Sequence, residues 1–275
     1  MPQRRVSHQV DLFLQSTLFS SATEPREKAR FGSVALSHSG DWLNAVPSKA
    51  LNLHMRPQEF RTATKYRLGL PIYSSEGICP AGNCDRPNDV MGDHAIGCAY
   101  LGERTFRHNL LRDAIFNAAQ SACLNPAREV RGLLPGSDAR PADVFLPSWD
   151  KGRDAALDVT VISPLQQNLV DRCAINHDLA LETAHRRKMT SRFDECRAVN
   201  VSFVPLAVET FGGWHPSAAV ELKRIASRLA RQTNAYESVV TSHFFQKLAI
   251  SLQRTNASLF LSRQTVFPLS DIDGH

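Results

Sequence analysis

The chain of 275 residues has no apolar run near the roughly 18 residues that span a bilayer, so no membrane-spanning helix is expected. It has no internal repeat. The opening stretch MPQRRVSHQVDLFLQSTLFSSA joins a basic patch to apolar residues, but Gln, Asp, Gln and Ser interrupt them, which favours an amphipathic helix over a secretion signal. Only six cysteines are present, with no paired framework of the kind that staples secreted domains. Asn200-Val-Ser202 and Asn256-Ala-Ser258 match the glycosylation pattern, which is short enough to arise by chance. An intracellular, reducing compartment is the reading. Strong charge is also missing: the net charge is +5 and the pI about 9.0, a modest lean toward an anionic partner. The 43% hydrophobic and 21% charged content belong to an ordinary globular protein with a real core.

Along the chain, residues 1–40 read as one or two helices. Pro57 suits a first helical turn, with Phe60, Ala63, Tyr66 and Leu68 as a rough apolar stripe and Arg61, Lys65 and Arg67 either presented to phosphates or merely solvated. Gly102 to Ala122 is a strong helix pattern, in which Phe106, Leu110, Leu111, Ala114, Ile115 and Ala118 fall at helical spacing. Strands are expected at Arg128–Leu134, Ala142–Pro147 and Ala155–Ile162, separated by Pro135-Gly136-Ser137-Asp138 and Trp149-Asp150-Lys151-Gly152. A long helix is expected over 165–199. A fourth strand follows at Val201–Glu209, placed at an edge or bulge by Pro205, and then helices at about 216–232 and 235–255. This order predicts an α/β fold, a mixed sheet with helices on both faces.

Two constellations carry chemistry. Cys79, Cys84, His94 and Cys98 have the spacing C-x4-C-x9-H-x3-C, its first interval at the wide end of the usual range, in a loop rich in Gly and Pro that can wrap a tetrahedral zinc ion. Four protein ligands leave no open position, so such a site is structural. A disulfide, or unrelated buried cysteines, are the competing readings; Cys123, Cys173 and Cys196 sit in helical patterns as core residues. The second constellation is Asp143 and Asp158, fifteen positions apart around a turn, which a hairpin would bring side by side. Two close carboxylates repel unless a hard cation such as Mg²⁺ or Mn²⁺ neutralises them, and that ion can act on a phosphate. The alternative is that each Asp caps a turn or pairs with Arg140 or Arg153.

Taken together, the Cys/His module, Gly102-Glu103-Arg104 with Arg107-His108-Asn109, the Arg-Pro-Ala-Asp run and Asp-Val-Thr-Val-Ile-Ser-Pro resemble the C-terminal end of non-LTR retrotransposon polyproteins. In that family a CCHC zinc module lies between a reverse transcriptase and a restriction-enzyme-like PD-(D/E)xK nuclease. The resemblance covers roughly residues 40–255. With it, the chain is expected to divide into a helical N-terminal segment at 1–70, a zinc module at 71–100, a nuclease domain at 101–255 and a tail at 256–275. Arg140, Pro141 and Asp143 match the family's basic-Pro-Asp motif with Ala142 inserted, and Asp158 matches the second acid. The motif lysine falls on Thr160; in this type of nuclease the next helix supplies it, which points to Lys188. Glu129 is a further metal-ligand candidate.

The resemblance implies zinc at the cysteines, Mg²⁺ or Mn²⁺ at the acids, and nicking of DNA to prime copying of element RNA in the nucleus. No Tyr-x-Asp-Asp motif is present, so a reverse-transcriptase domain is expected upstream in the parent polyprotein. Arg107, His108, Arg140, Arg186 and Arg187 are the nucleic-acid contacts this picture predicts, and His108 can equally reach the metal. His215 at a helix start and the stripe Arg224, Arg228 and Arg231 are weaker candidates for phosphate contact. A non-catalytic nucleic-acid-binding remnant is the rival reading.

Overall fold

The computed structural model describes residues 2–82, 84–99, 102–134 and 140–264, with side chains from residue 6 onward. Helices α1 (Pro2–Ser21), α2 (Pro25–Ala35) and α3 (Pro57–Leu68) lead into a loop-rich module. There β1 (Gly77–Ile78) pairs antiparallel with β2 (Pro87–Asn88), and α4 (Asp93–Gly97) follows. Pro25 and Pro57 start their helices where a missing N–H costs nothing. Glu59 accepts the Arg56 N–H at 2.7 Å and so closes the first turn of α3.

α5 (Glu103–Ser121) precedes the main sheet, which runs β3 (Ala127–Arg128), β4 (Val144–Asp150), β5 (Arg153–Ile162) and β6 (Val201–Glu209) in that spatial order. β3, β4 and β5 are antiparallel neighbours, while β5 and β6 are parallel, so the sheet is mixed as expected. The crossover from β5 to β6 carries α6 (Val170–Cys173) and α7 (Leu179–Ala198); α8 (Pro216–Thr233) and α9 (Glu237–Leu261) close the fold. β6 lies at the sheet edge, where Pro205 removes no needed ladder bond.

β5 shows why both faces are covered. Its residues from Ala155 to Thr160 are all buried, the run expected of a central strand. Leu157 and Val159 pack with Leu111 and Ile115 of α5, Leu222 and Ile225 of α8 and Phe245 and Leu248 of α9. The alternate positions Ala156 and Ile162 face the other way, toward Cys196, Leu181 and Ala184 of α7. α9 is buried on most sides, and its core includes Phe260, past the helix end expected near 255. That expected tail therefore begins inside a helix.

Three elements depart from expectation. The strand expected at 128–134 ends at Arg128, because Glu129 takes φ 45° and its carboxylate is held by Arg112 and Arg140; the turn at 135–138 lies outside the described residues. β4 runs past Pro147 to Asp150 through a bulge, with Ser148 at φ 50° and its N–H on Asp154 Oδ1 at 2.8 Å. The helix expected over 165–199 is broken after α6. There Asn176 accepts the Asp178 N–H through its side chain and the Leu179 N–H through its backbone.

Candidate metal centres

β4 and β5 pair from Val144 opposite Leu157, and β5 then runs on to Ile162 with no β4 residue beside it. Asp143, the residue just before β4, extends that ladder by one step. Its backbone N–H donates to Leu157 O at 2.9 Å, and its Oδ2 accepts the Val159 N–H at 2.6 Å. The carboxylate is therefore fixed by strand geometry at the rim of the sheet, directly beside Asp158.

The two helical layers reach this rim from opposite faces. From α5, His108 Nε2 lies 2.9 Å from Asp143 Oδ2. From α7, Lys188 Nζ donates to Asp158 Oδ2 at 2.9 Å and Oδ1 at 3.1 Å. Ligand atoms of His108, Asp143 and Asp158 all fall within 4.8 Å of one another. Arg187, one residue before Lys188, reaches Thr160 Oγ1 at 3.4 Å.

Electrostatics splits the two acids. Burial pushes Asp158 up to about 6 despite the Lys188 ammonium, and the Asp143 charge adds to the rise. Asp143 is also desolvated, yet its bond to His108, the imidazolium charge and the Val159 amide hold it below the usual range. His108 is raised in turn, first by its hydrogen bond to Asp143. One carboxylate stays ionised while its neighbour titrates close to neutrality.

The second group is the cysteine module. The ligand atoms of Cys79, Cys84, His94 and Cys98 lie within 4.8 Å of one another and can hold a metal ion. Cys79 and Cys98 sulfurs are 3.9 Å apart, and Cys84 Sγ is 3.4 Å from His94 Nε2. Three sulfurs and an imidazole suit a tetrahedral, sulfur-preferring ion, and the separations rule out a disulfide between Cys79 and Cys98 in this state. The loop is locked for this. Asp89 accepts the Asp93 and His94 N–H groups at 3.0 and 2.7 Å, and Cys79 N–H donates to Arg86 O at 3.0 Å.

Of the predicted site residues, Asp143, Asp158, Lys188 and His108 come together. Glu129 does not join them, because Arg112 and Arg140 hold its carboxylate. Arg140 is thus in an ion pair, although it stays partly exposed. Arg107 is not on a solvated basic face: it is 3% exposed, and its Nη1 donates to Asn256 Oδ1 at 2.8 Å. That bond also removes Asn256 as a surface acceptor. Arg186 and Arg187 remain exposed. Arg67 is a strut, donating to Ser39 O and Val34 O, and Arg224 is tied to Glu221 and Asp150. His215 caps its own helix by accepting the Ser217 N–H. Cys173 and Cys196 are buried as expected, whereas Cys123 is exposed in the turn after α5.

The amide of Val159 and the free rim of β5 were missing from the sequence reading. The end of the β4 pairing, five residues before the end of β5, leaves no local signal. No protein-family model matches the chain, and no curated protein matches it significantly.

Proposed function

We propose that the chain is a divalent-metal-dependent DNA endonuclease of the restriction-enzyme-like, PD-(D/E)xK type, derived from a non-LTR retrotransposon polyprotein. The observation that carries this reading is the convergence of His108, Asp143, Asp158 and Lys188 at one point of the sheet rim. Two carboxylates offer the hard oxygen donors that Mg²⁺ or Mn²⁺ accepts, with His108 bonded to Asp143 beside them. When bound, such an ion lowers the pKa of a water molecule and neutralises charge on a scissile phosphate.

The protein's own groups supply the rest. Asp143, oriented by His108 and the Val159 amide, is a fixed anionic ligand needing no rearrangement. Lys188, whose ammonium lies at Asp158, would take the part of the motif lysine and stabilise charge developing on phosphate oxygens. Thr160, at the motif position, leaves that role to Lys188 from the helix. The Cys79, Cys84, His94 and Cys98 group is read as a structural zinc site, its four ligands closing the coordination sphere. DNA, and element RNA in the parent polyprotein, are the partners that fit this reading, in the nucleus.

Nicking of supercoiled plasmid tests it. Asp143→Ala should lower the Mg²⁺-dependent rate by about 100-fold or more while binding to DNA persists. Unchanged nicking would refute the assignment. Binding without any nicking in the parent chain favours a non-catalytic remnant instead.

A further inference from the structure

A cleft of about 920 Å³ opens between the cysteine module, the first turns of α5 and the C-terminal end of β5; its walls include Arg86, Arg104, Arg107, Val161 and Ser163. This is the upper part of the volume range of ligand sites. Its charges are unequal. Asp93 is taken up by a bidentate pair with Arg26, and Asp89 accepts the two amides that start α4. Arg86 and Arg104 are exposed, and among the described residues Arg104 makes a single 3.4 Å bond, to Gly97 O.

Arg107 is the unusual group. A guanidinium at 3% exposure ordinarily pairs with a carboxylate, because an uncompensated buried charge is expensive. Here its partners are the neutral Asn256 Oδ1 and Ile96 O, and its Nε has no hydrogen-bond partner among the described residues. Burial and then the like charge of Arg104 push it down to about 10. Two guanidiniums thus line one cavity whose two acids are already engaged, Asp93 by Arg26 and Asp89 by backbone amides, an arrangement that an anion completes.

Position gives the anion's identity. Arg104, Arg107 and His108 lie three and four apart on α5 and share one side of it. Val161, in the cleft wall, is three residues beyond Asp158 on β5, or about 10 Å at strand rise. That span is about three nucleotides at 3.4 Å each. We propose that this cleft is a phosphodiester-binding channel, in which Arg104 and Arg107 receive a backbone phosphate of a polynucleotide strand whose phosphate about three nucleotides along lies at Asp143 and Asp158. The register along the strand rests on the nuclease reading of that acid pair; the anion site itself rests on the arginines.

The test uses the full zinc-loaded chain without added Mg²⁺, so that strands are bound and not cut. Binding of a labelled single-stranded oligonucleotide, and of its duplex, is titrated between about 50 and 200 mM salt. Arg104→Ala and Arg107→Gln should each weaken binding by about 10-fold and reduce the slope of log K against log salt by about 0.7–0.9. Arg104 is exposed, so its variant reads the site even if Arg107→Gln loses stability, which a thermal melt reports. Competition by inorganic phosphate at constant ionic strength separates a strand from a free anion. Slopes unchanged by both substitutions overturn the proposal, and so does phosphate that binds through the two arginines while strand binding ignores them. The two readings fail separately. Nicking that survives Asp143→Ala, with slopes still altered by Arg104→Ala, removes the nuclease centre and leaves the channel; nicking lost in Asp143→Ala with unaltered slopes removes the channel alone.

Discussion

Glu209 ends β6 fully buried, and neither carboxylate oxygen has a hydrogen-bond partner among the described residues. Desolvation pushes it up to about 8, and the charge of Asp178 works in the same direction, against the nearby Ser33 hydroxyl. The folded pKa thus exceeds the unfolded one, so the folded chain binds the extra proton. Stability from this group is fully present below about 4.5, falls as pH rises and levels off above about 8. Glu209→Gln should remove that slope. In urea unfolding, the variant should gain on the parent by roughly 1.4 kcal/mol per pH unit between pH 5 and 8, up to the titration midpoint. A stability difference that does not change with pH would show that Glu209 is charged throughout. At the same scale, Asp143 and Asp158 show how position and not residue type sets a carboxyl group: one is fixed by an amide and an imidazole, and the other is raised by burial.

Among elements, the cysteine module depends on how it docks against α9. Tyr73 donates to Phe260 O at 2.9 Å, Asn88 donates to Arg263 O at 3.2 Å, and Arg263, fully buried, pairs with Glu103 of α5 at 2.7 Å. Gly92, before α4, sits at φ 79°, and a Cβ there would meet the buried Phe260 ring at 2.8 Å. Gly92→Ala combines a left-handed backbone penalty with a clash in a packed core. It should cost about 2 kcal/mol or more in chemical denaturation. An unchanged midpoint would mean that the module does not pack on α9 in solution. The element reading from the sequence succeeded where periodicity was strong, as in α5, β5, β6 and α8. It failed at 128–134 and 174–178, where a positive φ at Glu129 and the Asn176 side chain broke patterns that composition alone continues.

For the whole molecule, the cysteine group joins segments that carry little apolar core of their own: Cys79, Ala81, Cys84 and Cys98 form a separate small cluster. Bound metal should therefore contribute stability to the chain well beyond the module, since Arg104 and Arg107 of α5 donate to Gly97 O and Ile96 O, and Tyr73 donates to Phe260 O of α9. Elemental analysis should find about one zinc per chain. Chelation, or Cys98→Ala, should lower the melting midpoint on the order of 10 °C. A metal-free chain with an unchanged midpoint would sink the structural-zinc reading.

What the sequence determined by itself is local: the α/β element order, the helical and strand periods, the C-x4-C-x9-H-x3-C spacing, and two acids a hairpin apart. These follow from neighbours along the chain, where period and spacing express geometry directly. The tertiary structure decided the partners. His108 and Lys188 come from helices on opposite faces of the sheet, 35 positions before Asp143 and 30 after Asp158, and no local pattern states that they meet. It also decided which arginines are available: Arg107, Arg112 and Arg140 look alike in sequence, yet Arg107 is buried with no acid bonded to it among the described residues and the other two clamp Glu129. Burial and charge pairing depend on what packs from far along the chain, and that information is written in the whole sequence at once.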